Sequence, residues 1–274
     1  HSVVTIHDVA FDHFPEIYKW TNREYHHFVV NHAKRVATHI ITDSESTRHD
    51  LHTIYKIPLE RMTTVYLGFN PSEFYPAPKG EPSSREVPYL YFVGRIEQRK
   101  NISRMLEAFA EFKQTTKLPH KFLLAGKPHH GADSVMATYE QLPQAVKNDI
   151  EFLGYVSQAD ATHYLRHADA LVFSTLFEGF GLPVLEAFAS GVPVITSTTS
   201  SLPEVAGDAA LLVDPDDSDG LAERLVAVLT RPELAAELRR KGLRQAARFP
   251  WSRAAEQTLE IYCRCADAAA GGAT

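Results

Sequence analysis

The chain has 274 residues, of which 44% are apolar and 23% charged, and this ordinary globular composition excludes a disordered tail, a collagen-like fibre and a coiled-coil rod. At about 100–200 residues per domain, the length allows one large domain, one and a half, or two, and no apolar run approaches the roughly 18 residues of a membrane span. The formal net charge is −6, which argues against binding nucleic acid through its phosphates, because such proteins usually have a basic excess.

The first residues already have the composition of a strand. The sequence HSVVTIHD lacks the basic region and apolar run of a signal peptide, and we expect the chain to begin within a fold. Three short β-rich runs precede residue 78 and amount to about half of an alternating α/β domain. These runs are VVTI (3–6), ATHIIT (37–42) and TTVYLG (63–68).

Residues 15–35 combine aromatic with basic side chains and are predicted to be helical. Trp20 and Phe28 lie among four basic and two acidic residues, so the local charge is 4 − 2 = +2. A half-buried helix of the N-terminal domain is the simpler interpretation. A helix that lies in a membrane interface is the alternative.

The proline-rich sequence between residues 70 and 88 indicates a linker. We therefore predict a partial N-terminal domain at 1–78 and a complete second domain at 79–250. The remaining residues, 251–274, are predicted to form a C-terminal helix that could cross back to the N-terminal domain.

The second domain alternates strands with helices, which is the pattern of a parallel sheet covered on both faces. The predicted strands are YLYFVG (89–94), KFLLAG (121–126), IEFLGY (150–155), ALVFST (170–175), PVITST (193–198) and ALLVD (210–214). The helix over 102–116 has the 3.6-residue spacing of an apolar helix face, at Ile102, Met105, Leu106, Phe109 and Phe112. Further helices are predicted at 159–169, 183–190, 219–229, 232–247 and 252–265.

A basic loop, GRIEQRKN (94–101), follows the first strand of this domain. Ligands of open parallel sheets bind at the carboxyl ends of the strands. Gly94 allows a tight turn there, and the loop combines the cations Arg95, Arg99 and Lys100 with a single acid. Arginine offers phosphate a fork and lysine a point charge, so the loop suits a diphosphate. A solvated basic loop is the alternative that the spacing leaves open.

A glycine-rich loop with two acids follows the strand ALVFST. This segment, 177–187, has the sequence FEGFGLPVLEA. Pro183 suits the first position of a helix, whose N–H groups would then face an anion. Glu178 and Glu186 could hydrogen-bond the hydroxyls of a ribose or another sugar. A first-turn acid that opposes the helix dipole would explain Glu186 alone, but not the other acid, the two glycines and the proline together.

These motifs resemble those of the retaining glycosyltransferases of family 4, the group 1 glycosyltransferases with the GT-B fold. In the second domain the matches are VGRIEQRKN (93–101), FLGYVS (152–157), EGFGLPVLEA (178–187) with its Glu-x7-Glu spacing, GVPVITS (191–197) and SSLPEVAGDAALLVDP (200–215). In the N-terminal part they are VVTIHD (3–8), IITDSESTRHDL (40–51) and VYLGFNPSEFYP (65–76). The resemblance therefore covers nearly the whole chain.

The resemblance implies an α/β protein of GT-B type, with one complete Rossmann-like donor domain and an incomplete N-terminal, acceptor-side Rossmann-like domain. It implies transfer of a sugar from a nucleotide diphosphate sugar to a glycan or lipid-linked acceptor, with retained anomeric configuration. Neither a cofactor nor a metal ion is expected. Cys263 and Cys265 are too few and too close for a disulfide framework, which agrees with a cytoplasmic location, and peripheral contact with the inner membrane face is an option.

The resemblance also implies roles for single residues. Arg95 and Lys100 would hold the donor diphosphate and stabilise the leaving group. Glu178 would contact hydroxyls of the donor sugar, and Glu186 would bind the ribose. His7 would be the active-site histidine at a strand end, although a histidine satisfied by a backbone group explains this residue equally well. The other donor-binding residues, including the backbone near the base at 155–156, are Gly94, Tyr155, Val156, Gly179, Phe180, Gly181 and Leu182.

One part of the family pattern is missing. The family begins its N-terminal domain with strands and a glycine-rich loop that have no counterpart before His1, so the acceptor side is expected to be incomplete. Half a sheet exposes an edge, and we expect VVTI (3–6) to be covered by a partner chain or a second copy, or to be poorly ordered. The alternative function is a nucleotide-sugar-binding module that is inactive without a missing N-terminal segment or partner chain. A GT-B phosphorylase or epimerase is a third, weaker hypothesis.

Other patterns favour structure over chemistry. Asp214-Pro215-Asp216 is similar to a metal-binding Asp-x-Asp pattern, but a turn and an N-cap explain it. His163 and His167 have the spacing of metal ligands without an evident third ligand, and we expect a surface face. Asn101 is predicted to be an N-cap, and residues 201–204 a capping box.

Overall fold

The structure, a computed structural model, describes residues 2–271, with side chains described as far as Asp267. The chain divides into two compact units. Unit 1 takes the described residues of 1–68, 178–181 and 249–274, and unit 2 takes 69–177 and 182–248. The domain boundaries drawn from the sequence stay a prediction.

Unit 1 is built on a small parallel sheet. Its strands are β1 (Val3–Ile6), β2 (His39–Thr42) and β3 (Met62–Thr64), and they pair in that order. Its helices are α1 (Ala10–His13), α2 (Trp20–Val36), α3 (Glu45–Tyr55) and α12 (Trp251–Gly271), with 3-10 turns at Pro15–Ile17 and Leu59–Arg61.

The central strand of unit 1 is covered on both faces, because successive residues of a strand point to opposite sides. Ile40 lies in one apolar cluster with Val30 of α2 and Leu51 of α3. Its neighbour Ile41 lies in a second cluster with Ile261 of α12. Strand β1, in contrast, is at an edge of the sheet among the described residues.

Unit 2 is built on six parallel strands. They are β4 (Tyr89–Val93), β5 (Lys121–Ala125), β6 (Ile150–Gly154), β7 (Ala170–Phe173), β8 (Val194–Ser197) and β9 (Leu211–Val213). Their order in the sheet is β6-β5-β4-β7-β8-β9. The chain thus builds outward from β4 in one direction and, from β7, in the other, which is a doubly wound topology.

Eight helices and a 3-10 turn at Gln98–Lys100 connect these strands within the described part of unit 2. The helices are α4 (Ile102–Thr115), α5 (Ala132–Gln141), α6 (Gln144–Lys147), α7 (Gln158–Arg166), α8 (Leu182–Ala189), α9 (Leu202–Ala206), α10 (Ser218–Thr230) and α11 (Pro232–Ala246). Helices α5 and α6 were not anticipated from the sequence pattern. The apolar face predicted for α4 is confirmed, since all five of its residues are buried.

Three local predictions need correction. The run 63–68 was expected to be a strand, but β3 ends at Thr64 because its partner β2 ends at the paired residue, Thr42. At 201–204 a helix does begin, but the side chain of Ser201 does not cap it. The last helix, predicted to end at 265, continues to Gly271.

Two further findings concern the whole described chain. None of its helices over residues 2–271 combines the length and apolar character needed to cross a membrane. Cys263 and Cys265, both on α12, are free thiols.

Candidate functional site

The carboxyl ends of β4 and β7 form the switch point of the unit 2 sheet, because the strand order reverses between these neighbours. Ligands of doubly wound sheets bind in the crevice at such a point. The basic loop 94–101 leaves the end of β4, and the loop that includes Leu176 and Phe177 leaves the end of β7. The fold therefore brings the cations predicted from the sequence to the position where this architecture binds ligands.

The basic loop is held by backbone pairing beyond the end of β4. The N–H of Ile96 donates to the carbonyl of Lys127 at 3.0 Å, and the N–H of His129 donates back to Ile96 at 2.9 Å. Gly94 has a φ of +151°, and a Cβ on Gly126 would clash with its carbonyl oxygen. The loops after β4 and β5 thus form one tightly packed platform.

Two of its cations differ in exposure. Arg95 is exposed, whereas Lys100 is half-buried. The Nζ of Lys100 lies 5.3 Å from the centroid of the Phe173 ring at the end of β7. An aromatic face at this distance attracts a cation. The loop therefore carries one exposed guanidinium group, of Arg95, and one half-buried ammonium group, of Lys100.

Arg99, the third cation of this loop, has a bridging contact that the sequence did not reveal. It donates to Glu97 at 2.8 Å and to the carbonyl of Phe177 at 2.6 Å. Glu97 is buried, and its other carboxylate oxygen is 3.2 Å from Nδ1 of His129. This ionic cluster joins the loops that follow β4, β5 and β7.

Asn101 occupies the N-cap position of α4, but its side chain does not cap the helix, so this prediction is half wrong. Its Nδ2 instead donates to the carbonyls of Ser174, at 3.0 Å, and Pro215, at 2.7 Å. The backbone of Asn101 is left-handed, with φ of +57°, a conformation that asparagine tolerates better than most residues. The amide therefore ties the basic loop to the segments that follow β7 and β9.

An exposed aromatic ring lies at the end of β6. Tyr155 is 73% exposed, and the Nζ of Lys127 is 4.8 Å from its ring centroid. Val156 beside it is half-buried. A flat ring at a strand end offers a stacking face, and Lys127 is a second residue that the sequence did not single out.

Glu186 lies on α8, beyond the first turn, because the helix begins at Leu182, one residue before Pro183. The helix-dipole explanation of this acid is therefore wrong. Burial raises the pKa of Glu186 to about 7, and the nearby charge of Glu73 adds to the shift. A carboxyl group that is about half protonated near pH 7 can both donate and accept hydrogen bonds.

Unit 1 has its own cluster of polar groups at strand ends. His7 follows β1, and its Nδ1 is 2.6 Å from Oδ2 of Asp43, which follows β2. The side chain of His7 is 74% exposed, whereas that of Asp43 is only 5% exposed. Burial raises the pKa of Asp43, and its hydrogen bond with His7 opposes that rise. The imidazole is thus anchored at one nitrogen and open at the other.

The segment 178–181 belongs to unit 1 and lies against the end of β1. A Cβ on Gly179 would be 2.7 Å from the carbonyl oxygen of His7, so this close approach requires glycine. Phe180 packs with Tyr66 and Phe249, at ring distances of 6.1 and 5.9 Å. Within unit 1 the structure therefore brings Gly179 against His7, and the other predicted residues of this loop lie in the same short segment. The predicted residues of the segment are Glu178, which is buried, Gly179, Phe180 and Gly181, whose φ is +109°.

Two sequence patterns similar to metal sites, the aspartates at 214–216 and the pair His163 and His167, were expected to be structural. The turn at 214–216 and the N-cap before α10 are confirmed, with Asp217 accepting from the N–H of Gly220 at 2.8 Å. The prediction of a surface face is wrong for His167, whose side chain is only 8% exposed and lies 3.8 Å from Glu81 in the linker, whereas the side chain of His163 is 30% exposed. Across residues 2–271 no group of three or more His, Cys, Asp or Glu is placed to hold a metal ion.

Asp43 is the functional candidate that sequence reasoning missed in unit 1, although a signal for it existed. Ile6 pairs with Thr42 in parallel register, so the next residues, His7 and Asp43, must lie side by side once the pairing is known. Arg99 and Lys127 gave no such signal, because their contacts depend on loop geometry.

Comparisons with known proteins agree with this architecture. A family model described as "Glycosyl transferases group 1" matches residues 76–245. The chain is 29% identical over 268 residues to "O-antigen chain mannosyltransferase B" of Escherichia coli, which covers 95% of this chain and 70% of that protein. It spans 55% and 56% of two further curated relatives.

Two solved structures have a similar fold. Sucrose-phosphate synthase from Thermosynechococcus elongatus matches with a TM-score of 0.80 at 23% identity, over 97% of this chain and 68% of that one. Anabaena Alr3699/HepE, solved in complex with UDP and glucose, matches with a TM-score of 0.78 at 18% identity, over 96% and 71%. These likenesses confirm the predicted fold class.

Proposed function

Because the chain belongs to the group 1 glycosyl transferases, we propose that it transfers a hexose from a nucleotide diphosphate sugar to a glycan or lipid-linked acceptor, with retained anomeric configuration. The observation that carries the proposal is the basic loop at the switch point of the unit 2 sheet. The similarity to a mannosyltransferase supports mannose as the first sugar to test, and the UDP complex of a structural neighbour supports a nucleoside diphosphate donor.

The donor diphosphate is assigned to Arg95 and Lys100. Guanidinium and ammonium groups oppose the charge that develops on a departing diphosphate, and they do so best when they are fixed in advance. Lys100 is fixed over the Phe173 ring, and the exposed Arg95 can close on its ligand. The two cations supply the positive charge that the leaving group needs, so the proposal invokes no metal ion and no cofactor.

The nucleoside is assigned to the remaining strand ends of unit 2. Glu186 would bind the ribose hydroxyls, because a carboxyl group with a pKa of about 7 can accept or donate to them. The base would lie near Tyr155 and Val156, where the exposed ring offers a stacking surface. Gly94 and Leu182, which begins α8, would contact the donor through their backbone. For unit 1, we assign His7, Glu178 and the glycine-rich segment 179–181 to the sugar.

Contact with a membrane surface is a further part of the proposal, because lipid-linked acceptors lie at such surfaces. Trp20, Tyr25 and Phe28 of α2 are 62–68% exposed, and the same helix ends in Lys34 and Arg35. Exposed aromatic and basic side chains on one helix are typical of interfacial binding. Flotation with anionic vesicles at low salt tests this point, and absence of binding would remove the membrane from the proposal.

The decisive experiment is a thermal-shift screen of mannose and glucose diphosphate donors of guanosine, uridine and adenosine. A ligand at 100 times its Kd adds about 2.7 kcal/mol to the free energy of unfolding, which is enough to detect. Calorimetry on Arg95→Ala and Lys100→Ala should then show affinity losses of about 1.5–3 kcal/mol, the value of one charge-assisted contact. Lys117→Ala is the matched control, because this exposed lysine precedes β5 at the opposite edge of the sheet. Equal affinities in all three variants would reject the site.

A nucleotide-sugar-binding module without activity of its own is separated from this proposal by turnover. Release of free sugar or formation of a glycoside by the chain supports the transferase. Tight donor binding with no turnover, restored when an N-terminal partner chain is added, would support the module.

A further inference from the structure

The side chain of His7 is held by a polar clamp at the start of α3. The clamp consists of Asp43, Ser44 and Thr47, all of which are at most 3% exposed. Asp43 binds Nδ1 of His7 at 2.6 Å, and Thr47 Oγ1 donates to the backbone carbonyl of the same histidine at 3.2 Å. One short segment therefore holds both the imidazole and the main chain of a single residue.

The clamp is itself fixed by the N-cap of α3. The N–H of Thr47 donates to Ser44 Oγ at 3.1 Å, and that hydroxyl donates to Thr47 Oγ1 at 3.0 Å. Thr47 is then left to donate onward to His7. The hydroxyls of Ser44 and Thr47 each accept one of these hydrogen bonds and donate another. The positions of their protons are therefore set.

The ionised carboxylate of Asp43 can only accept hydrogen bonds. The proton in the 2.6 Å contact must therefore be on Nδ1 of His7 when the imidazole is neutral. Nε2 is then an acceptor, and the 74% exposure of the side chain leaves it open to a ligand. Asp8 is the other acid near this pair, and its charge opposes ionisation of Asp43.

We propose that Asp43 is a positioning residue, which fixes His7 as the Nδ1–H tautomer so that Nε2 accepts a hydrogen bond from a hydroxyl of the transferred sugar. The role of Nε2 rests on the proposed glycosyltransferase function. The tautomer itself does not, so the two can fail separately.

Unit 1 contains a matched control pair. His13 Nε2 is 2.9 Å from Oδ2 of Asp50, and this pair joins α1 to α3. Asp43→Asn and Asp50→Asn each replace a carboxylate with a nearly isosteric amide at a histidine. Only Asp43→Asn is expected to change turnover of the donor.

Nitrogen-15 NMR of the histidine side chains tests the tautomer without any substrate, with the signals of His7 assigned through His7→Gln. We expect neutral His7 to carry its proton on Nδ1 in the native chain. In Asp43→Asn the amide can present either its oxygen or its NH₂ group, so the preference should be lost, whereas Asp50→Asn should leave the His7 signals unchanged. A native His7 protonated on Nε2, or unchanged His7 signals in Asp43→Asn, would overturn the proposal.

Turnover of the donor identified by the thermal-shift screen tests the consequence. Asp43→Asn should lower kcat about 10- to 100-fold with the donor KM changed less than about threefold, as expected for loss of orientation rather than of binding. Thr47→Val should lower kcat less, and Thr47→Ser, which keeps the hydroxyl, should restore it. A raised KM with unchanged kcat, or equal rates in Asp43→Asn and Asp50→Asn, would contradict the positioning role. A native chain that neither binds nor turns over any donor would reject the proposed function, and the NMR result would still decide the tautomer.

Discussion

The inner strands of the unit 2 sheet and the edge strand β1 of the unit 1 sheet differ in how they are buried. In unit 2, β7 and β8 are buried at every residue, and β4 and β5 at all but one. In unit 1, β1 has a single buried residue, Ile6. Consecutive buried residues mean that both faces of a sheet are covered, which is the usual state of parallel strands.

The difference extends to the surface. Most of the large apolar side chains exposed in the described chain are in unit 1, including Trp20, Tyr25, Phe28, Leu259 and Tyr262. Unit 2 therefore holds its loops on a sheet stabilised by apolar burial, whereas unit 1 holds His7 with a polar clamp on a small sheet. A strand-end residue can thus be placed by apolar burial of its sheet or by polar contacts of its own.

The largest expected effect is the loss of a core aromatic residue from unit 2. Phe109 of α4 is fully buried, and Phe109→Ala should lower the free energy of unfolding by about 3–5 kcal/mol. Hydrogen exchange followed by mass spectrometry should show the lost protection in β4 and β5. The same measurement on the native chain should show faster exchange in β1 than in β4, because fewer of its residues are buried.

The corresponding variant in unit 1 removes a core residue of α3. Leu51 of α3 is also fully buried, and Leu51→Ala should cost about 2–5 kcal/mol, with the lost protection in β1 and β2. If either variant reduced protection equally in both units, the two would unfold as one cooperative body, and their difference in burial would not give them separate stabilities.

A smaller effect is expected at the amide that ties the basic loop of unit 2 to its neighbours. Asn101→Ala leaves two carbonyls, of Ser174 and Pro215, without their donor, which should cost about 1–3 kcal/mol in urea unfolding. Part of this cost comes from the left-handed backbone at position 101, which alanine adopts less readily than asparagine. Asn101→Gly is the matched variant, because it removes the same donor but accepts the positive φ. If the glycine variant were as stable as the native chain, the hydrogen bonds would contribute nothing.

Much of unit 2 could be predicted from the sequence. The strands of unit 2 are continuous apolar runs and α4 has a regular apolar face, so both could be read from residue type alone. The strand-end glycines and the cations Arg95 and Lys100 could be placed as well, because a doubly wound sheet has one place for ligands. These predictions depended on local pattern and on topology.

Contacts made by side chains across several loops could not be predicted in the same way. Arg99 looked like a third free cation, but its bonds to Glu97 and to the carbonyl of Phe177 depend on how three loops pack. His167 looked solvent-exposed because the position of Glu81 in the linker has no local signal. Asp43 was within reach only through strand register.

The last expected effect is the pH dependence contributed by two carboxyl groups whose pKa is raised by burial, Glu186 in unit 2 and Asp43 in unit 1. Burial and Glu73 raise the pKa of Glu186 from 4.5 to about 7. The folded state therefore binds a proton that the unfolded state has released, and the free energy of unfolding falls as the pH rises from 4.5 to about 7. Glu186→Gln removes this dependence, so relative to the native chain it should gain up to about 3 kcal/mol of stability across that range.

Urea unfolding below and above this range measures the gain, with the exposed Glu223→Gln as the control for loss of a carboxylate. Asp43→Asn in unit 1 should change in the same direction but less, because the hydrogen bond with His7 opposes the effect of burial on the pKa of Asp43. A gain for Asp43→Asn that exceeds the gain for Glu186→Gln would mean that His7 compensates little for the buried charge. The clamp would then hold the imidazole at a larger cost to unit 1 than we expect.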